Sequence, residues 1–327
     1  MKPSQLTSAL ELLISAKQPC FIWGPPGIGK SQVVAQTANR LGLDLIDIRA
    51  VLLDPVDLRG LPHVNGDGRA HWCTPEFLPH DPKTKGVLFL DELNRAPQLV
   101  QNACLQLVLD RRIGEYILPE RWVVLAAGND EGVGVNRMDS ALRSRFQHLT
   151  AEVDLEDWSR WAVQNDIQPM VIAFLRSFPH LLHAYDKSQR AFPCPRTWEF
   201  ISRITALKPA IDLQQELYAG AIGDGPAVEY CAYARMYSQL PSIDAILLNP
   251  DTAPVPKKSE PSACFAVSAA LARRTTDKTI GRVHKYMARM EEEYGVYAMK
   301  DAITRDSSLQ TTKEFTKWAI AHQEVIF

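Results

Sequence analysis

Eight consecutive residues near the N-terminus have the types and spacing of a phosphate-binding loop. They are Gly24, Pro25, Pro26, Gly27, Ile28, Gly29, Lys30 and Ser31, and the apolar run Cys20–Trp23 precedes them. Glycines let the backbone wrap an anion without side-chain clashes, and the N–H groups at the start of the next helix point at that anion. Lys30 would reach the β- and γ-phosphates, and the Ser31 hydroxyl would bind Mg²⁺. A chance glycine turn is the competing interpretation, but the strand-to-helix context favours a nucleotide site, which also includes Gln32.

A second chemical feature is a pair of carboxylates after a continuous apolar run. Gly86–Leu90 is followed directly by Asp91 and Glu92. Such a run is typical of a buried central strand in a parallel sheet, and ligands of α/β proteins bind at the carboxyl ends of such strands. Asp91 can hold Mg²⁺, mainly through its water shell, and Glu92 can orient or deprotonate an attacking water. Two acids that only cap a helix are the structural alternative.

A polar residue and an arginine complete the candidate chemistry. The apolar run Trp122–Ala127 predicts a fourth core strand, and Asn129 follows at its tip, where its amide can bind the same water or the γ-phosphate. Pro195 fits the first position of a helix, so Arg196 lies in a first turn from which it could face the phosphates.

These residues must be positioned by strands that alternate with helices. Leu45–Arg49 predicts a second strand, Asn94 to Asp110 a helix, Ile113 to Leu118 a short strand or hairpin, and His148 to Val153 a last strand. Between them, Val64–Ala70 contains Asn-Gly and Asp-Gly, which predict an exposed hairpin, although an ordinary surface loop is equally compatible.

Beyond about residue 154 the pattern becomes helical, and a proline-rich segment divides it. The sequence therefore predicts four segments: a nucleotide-binding αβα domain at 1–153, a helical segment at 154–248, a linker or loop at 249–262, and a second helical segment at 263–327.

Composition argues against several classes of function, among them nucleic-acid binding, membrane insertion and zinc binding. The net charge of −2 provides no electrostatic footprint for nucleic acid or an acidic membrane. No apolar run approaches the length that a membrane span needs, and the N-terminus lacks a signal-peptide core. The 6 cysteines show no short pairing, so we expect reduced, packed thiols and a cytoplasmic location. The pairs His71/Cys73 and His180/His183 lack partners at zinc spacing, which argues against a metal site of that kind.

Taken together, these stretches resemble AAA+ ATPases, and within them the MoxR-like group. The resemblance extends over roughly residues 15–205 and is carried by five stretches: Gly24–Ser31, Leu90–Pro97 with Gln101 downstream, Ala126–Asn129, Asp139–Phe146 and Pro195-Arg196. Within Leu90–Pro97, Asp91–Ala96 is the most group-specific stretch. The chain departs from the usual pattern at Ala127-Gly128-Asn129-Asp130, where relatives tend to have threonine and glutamine before the asparagine.

The resemblance implies an α/β fold, a P-loop AAA+ core whose five-stranded parallel sheet has the order 5-1-4-3-2, followed by an all-α lid. ATP and Mg²⁺ are the implied cofactors. Asn129 matches the sensor 1 position and Arg196 the sensor 2 position. Arg145 matches the arginine finger that reaches a neighbouring subunit's ATP, with Arg143 as the weaker candidate. The implied catalytic set is Glu92, Asn129, Arg145 and Arg196, and the implied metal ligands are Ser31 and Asp91.

The resemblance also implies a homo-oligomer, a hexameric ring that hydrolyses ATP to remodel or activate a protein client, together with a von Willebrand factor A domain protein. A chelatase-type motor subunit belongs to the same wider group. A nucleic-acid-acting motor is the main alternative, and the balanced charge argues against it. An ATP-gated binding module with negligible turnover is a third possibility, which Glu92 and Asn129 disfavour.

Overall fold

A computed structural model describes residues 1–129 and 138–322. The chain divides into two compact units, Met1–Val153 and Asp154–Phe327. Two sequence predictions concern residues outside these ranges. One is the departure from the family pattern at Asp130, and the other is the last five residues of the second helical segment.

The first unit is built on a five-stranded parallel sheet. Its strands are β1 (Cys20–Trp23), β2 (Asp44–Arg49), β5 (Gly86–Asp91), β8 (Trp122–Gly128) and β9 (Gln147–Thr150). They lie in the order β2-β5-β8-β1-β9. Numbered within this sheet alone the strands run 5-1-4-3-2, so the predicted α/β class is confirmed together with its strand order. The last strand is shorter than predicted and ends at Thr150 rather than Val153.

The remaining elements of the first unit cover the sheet or project from it. They are α1 (Pro3–Ser15), α2 (Lys30–Arg40), α3 (Pro55–Arg59), β3 (Leu61–Val64), β4 (Ala70–Cys73), α4 (Gln98–Asp110), β6 (Arg112–Ile113), β7 (Tyr116–Ile117) and α5 (Ser140–Arg143). Alternate residues of the central strands enter opposite cores: Leu88 and Leu90 pack on one face, and Val87 and Phe89 on the other. This burial on both faces explains why β5 is a continuous apolar run.

The helix predicted from Asn94 begins later. Residues Leu93–Arg95 form a 3₁₀ helix, and α4 starts only at Gln98. Pro97 is the physical reason, because a proline disfavours the helical conformation of the residue before it and has no N–H to donate. Asn94 therefore belongs to a short turn after the carboxylates and not to the long helix.

Two antiparallel hairpins leave the main sheet. β3 pairs with β4 through Leu61↔Cys73 to Val64↔Ala70, which confirms the predicted hairpin with its turn at 65–69. All eight strand residues of this hairpin are exposed. β6 pairs with β7 in antiparallel fashion. Of the short strand or hairpin predicted for 113–118, the structure therefore shows the hairpin. In contrast to the first hairpin, this one is anchored by buried Ile113 and Tyr116.

In the described residues the second unit is helical. Its helices are α6 (Leu155–Gln164), α7 (Pro169–Ser177), α8 (Pro195–Ala206), α9 (Ile211–Ile222), α10 (Asp224–Ser238), α11 (Ile243–Leu248), α12 (Pro261–Arg274), α13 (Ile280–Met287), α14 (Glu292–Arg305) and α15 (Lys313–Ala321). Helix α12, which follows the proline-rich loop, packs against α7 and α14. Helices from both sides of the loop thus share one compact unit.

The cysteines are free thiols, and all except Cys73 are buried. Burial raises the pKa of Cys20 and of Cys104 to about 12, as expected for thiols that only pack. Within 1–129 and 138–322, the helices are too short or too polar to span a bilayer.

Candidate nucleotide site

The predicted phosphate loop connects β1 to α2 and is shaped by glycines. Gly24, Gly27 and Gly29 have φ angles of 154°, 78° and 94°, which other residues rarely adopt. A Cβ at Gly24 would also lie 2.9 Å from the Ala151 carbonyl oxygen and 2.9 Å from Ile28 Cδ1. Gly29 is the N-cap of α2, so the first N–H groups of that helix, which have no intrahelical acceptor, open onto the loop. This cradle fits the phosphates of a nucleotide.

The side chain of Lys30 connects the loop to the tip of β8. It is 9% exposed, and its ammonium group donates to Gly24 O at 2.8 Å, to Pro25 O at 3.0 Å and to Asn129 Oδ1 at 2.7 Å. The sheet order explains the last contact, because β8 lies beside β1 and both strands end at the same edge. The predicted lysine and strand-tip asparagine are thus brought together.

The predicted magnesium ligands also meet. Ser31 Oγ donates to Asp91 Oδ2 at 2.9 Å, and the other carboxylate oxygen, Oδ1, accepts from the Glu92 N–H at 2.9 Å. A hydroxyl and a carboxylate that converge beside a phosphate cradle are the oxygen donors that Mg²⁺ prefers. The residues present therefore fit a magnesium–nucleotide complex. Two causes raise the pKa of Asp47 on β2. The first is its partial burial, and the second is the negative charge of Asp91.

Glu92 follows Asp91 in a left-handed backbone conformation, with φ 55° and ψ 31°. This conformation is uncommon for a residue with a side chain and is typical of functional turns. The Glu92 carboxylate lies 3.4 Å from the Arg95 guanidinium, and both side chains are partly exposed. The residue predicted to act on water is thus accessible, and Arg95 is its ionic neighbour.

The arginine-finger candidates come directly before β9, the strand that lies beside β1. Arg143 ends α5, and Arg145 follows two residues later; both are exposed. Arg145 donates to Ser144 Oγ at 3.1 Å. The role of either arginine at a neighbouring subunit's ATP stays a prediction.

Two residues that the sequence reasoning missed connect the loop to this arginine segment. Trp23, the last residue before Gly24, donates from Nε1 to His148 Nδ1 at 2.9 Å, and His148 Nε2 lies 2.8 Å from Arg143 O. Because Nδ1 accepts, Nε2 carries the proton and donates to that carbonyl. An aromatic residue directly before the loop was the available sequence signal.

Arg196 lies in the second unit, at the second position of α8, and its side chain is exposed. The predicted helix start at Pro195 is confirmed. The sensor 2 role of Arg196 stays a prediction. No group of three or more potential metal-binding His, Cys, Asp or Glu side chains occurs in the described part of the chain.

Comparison with known proteins identifies the class. Residues 19–146 match the family model described as AAA domain (dynein-related subfamily). No curated protein matches the chain. Among solved structures, the chain is similar to NtrX from Brucella abortus in complex with ADP, with 15% identity, coverage of 98% of this chain and 67% of that one, and a TM-score of 0.43. It is also similar to a RuvB mutant from Thermotoga maritima, with 17% identity, coverage of 90% and 87%, and a TM-score of 0.41.

The family match and the site geometry agree. The match spans the loop, the paired carboxylates, Asn129 and both finger candidates. Residues 19–146 are an AAA domain of the P-loop AAA+ class. The matched AAA domain supports ATP hydrolase activity.

Proposed function

We propose that this chain is a MoxR-like AAA+ ATPase that hydrolyses ATP in a hexameric ring to remodel or activate a protein partner. The observation that carries the proposal is the convergence of Lys30, Asn129, Ser31 and Asp91 at one edge of the sheet. The stretch Leu90–Pro97, which resembles the MoxR-like group, supports the narrower assignment.

The residues of the first unit have distinct roles in this proposal. The loop N–H groups and Lys30 bind and orient the phosphates, and Mg²⁺, held by Ser31 and by Asp91 through water, neutralises charge on them. Glu92 orients and deprotonates the attacking water, and its partial exposure suits that task. Asn129, in the sensor 1 role, positions the same water or the γ-phosphate.

Two arginines complete the proposed mechanism. Arg196 acts on the phosphates of its own subunit, and Arg145 acts on the ATP of a neighbour, with Arg143 as the weaker candidate. An arginine supplied across an interface is worth about 10³–10⁵ in rate, so turnover would depend on assembly. Within this proposal, 154–248 is the lid, 249–262 a linker or loop, and 263–327 an extension of the lid.

Turnover tests the assignment of the site. We expect Glu92→Gln to bind Mg-ATP normally and to lose hydrolysis by about 10²–10⁴-fold, because only the water-activating group is removed. Lys30→Ala should lose nucleotide binding itself, because the main cation at the phosphates is absent. Equilibrium binding of a fluorescent ATP analogue and steady-state phosphate release separate the two effects.

Glu120→Gln is the matched control, since this glutamate is exposed on the same unit, pairs with Lys17 and should leave both readouts unchanged. Hydrolysis at the wild-type rate by Glu92→Gln would refute the assignment of the base.

The partner is tested with the ATP-locked form. Tagged Glu92→Gln protein should co-purify its client in Mg-ATP and release it in ADP, and we expect a von Willebrand factor A domain protein in that fraction. Turnover stimulated by DNA would favour the nucleic-acid motor, and co-purification of a metal-inserting enzyme the chelatase-type subunit. Either result would replace the proposed partner class.

A further inference from the structure

Asn94 is a buried polar residue between the paired carboxylates and the tip of β8. It lies in the 3₁₀ helix Leu93–Arg95, two residues after Glu92, and is 1% exposed. Its amide Nδ2 donates to the backbone oxygen of Asn129 at 2.8 Å. It therefore joins the segment that carries Glu92 to the residue that contacts Lys30.

The orientation of this amide is determined by its partner. A backbone carbonyl only accepts hydrogen bonds, so the nitrogen of Asn94 must face Asn129. Asn94 Oδ1 is then buried with no hydrogen-bond partner. It packs against Gly128, where an added Cβ would come within 2.3 Å of it. Burying an unpaired amide oxygen is unfavourable, and an apolar side chain of similar size would avoid that cost.

We propose that Asn94 is a positioning residue that fixes the backbone at Asn129, so that the Asn129 side chain meets Lys30 and the reacting phosphate; this rests on the proposed sensor role of Asn129. The backbone of the turn connects Glu92 to Asn94. Asn94 Nδ2 then donates to Asn129 O, and Asn129 Oδ1 accepts from Lys30 Nζ. A displacement of the turn that carries Glu92 would thereby displace Asn129 at the tip of β8. The absence of a side chain at Gly128 permits this approach.

Gln101 provides a matched comparison. It is also 1% exposed, donates from Nε2 to a backbone oxygen, that of Ala96, at 3.0 Å, and has a buried Oε1 without a partner. Its contact stabilises the start of α4 and does not involve Asn129. Asn94→Leu and Gln101→Leu thus remove the same kind of bond from the same segment, but only the first removes the link to β8.

The first measurement requires no nucleotide. Hydrogen–deuterium exchange of the free protein should show at least about threefold faster exchange at the C-terminal end of β8 in Asn94→Leu than in Gln101→Leu, because exchange reports local opening. Both variants are compared below their melting temperatures. Equal exchange in the two variants would contradict a specific link between Asn94 and Asn129.

The second measurement separates kcat from KM. We expect Asn94→Leu to lower kcat by about 10–100-fold with ATP affinity within about threefold, as for loss of an interaction made mainly in the transition state. Gln101→Leu should keep kcat within about twofold. In a double-mutant cycle, Asn94→Leu with Asn129→Ala should be no slower than Asn129→Ala alone, because Asn94 acts through Asn129.

Independent, multiplicative effects in that cycle would overturn the proposal, and so would an unchanged kcat in Asn94→Leu. Should Asn94→Leu fail to fold, Asn94→Ser takes its place with the same expected results, and Gln101→Ser becomes its control. If Asn129→Ala itself hydrolyses ATP normally, the proposed sensor role fails. If Asn129→Ala is slow and Asn94→Leu is not, only the role of Asn94 fails.

Discussion

At the scale of single residues, the ammonium group of Lys30 shows how the site is held together. Its acceptors include two loop carbonyls and the side chain of Asn129, so the loop and the strand tip share one cation. A phosphate oxygen would compete for the same donor. Phosphate binding at the loop would therefore change the hydrogen bond between Lys30 and Asn129. Asn94 would sense that change through its hydrogen bond to the Asn129 backbone oxygen.

A residue-scale prediction concerns stability in the second unit. Arg176 on α7 forms a two-bond ion pair with Asp301 on α14, at 2.7 and 2.8 Å, and both side chains are more than 90% buried. Burial opposes the charge of Arg176, but the Asp301 carboxylate raises its pKa overall, so the arginine stays charged. Asp301→Ala should therefore lower the free energy of unfolding by about 3–5 kcal/mol, because it leaves a buried charge unpaired.

The exposed pair Lys285–Asp251, at 2.6 Å in the same unit, is the control. Asp251→Ala should cost less than about 1 kcal/mol. Urea unfolding followed by helical circular dichroism measures both. Equal midpoints for the two variants would show that the Arg176–Asp301 pair does not hold α7 and α14 together.

At the scale of elements, the hairpin β3–β4 stands out because its eight strand residues are exposed. Leu61, Val64 and Trp72 are 65%, 64% and 39% exposed, an apolar surface that a partner can cover. Replacing Asn65–Arg69 by a short Gly-Ser turn should leave basal ATP hydrolysis within about twofold, since no assigned site residue is touched. Activation by the protein partner should be lost.

The alternative is that the hairpin only packs against a neighbouring subunit. A matched replacement at the exposed turn 186–189 of the second unit should preserve both ring formation and activation. Normal activation by the hairpin variant, in verified rings, would remove the hairpin from the mechanism. The helices after residue 263 would then be the better candidates for a partner surface.

The elements also show what the sequence could determine. Core strands such as β5 and β8 were predictable because burial on both faces demands continuous apolar residues. The start of α4 was misplaced because the helical spacing outweighed the effect of Pro97. Lys30, Ser31, Asp91 and Asn129 were found by type and spacing. The contacts of Asn94, and those of Trp23 with His148, depend on which strands are neighbours and on a close approach at Gly128, which residue spacing alone does not reveal.

At the scale of the whole molecule, hydrolysis should require more than one copy of the chain. Arg145 is exposed, and Trp23 and His148 connect its segment to the loop of its own subunit. In a head-to-tail ring, each active site would combine Glu92 from one subunit with Arg145 from the next. ATP bound at such an interface should also favour the oligomer, which mass measurements with and without ATP would detect. A monomer at saturating ATP would contradict this arrangement.

Mixing two inactive variants tests the interface directly. Arg145→Ala keeps Glu92 and lacks the finger, whereas Glu92→Gln keeps the finger and lacks the base. In equal mixture about a quarter of the head-to-tail interfaces regain both groups, so about a quarter of the wild-type rate should return if interfaces act independently. Arg143→Ala mixed with Glu92→Gln is the matched comparison. If Arg143 were the finger, that variant alone would be slow and its mixture would recover instead. Verified mixed rings of Arg145→Ala and Glu92→Gln that stay inactive at every ratio would exclude Arg145 as the residue that acts across the interface.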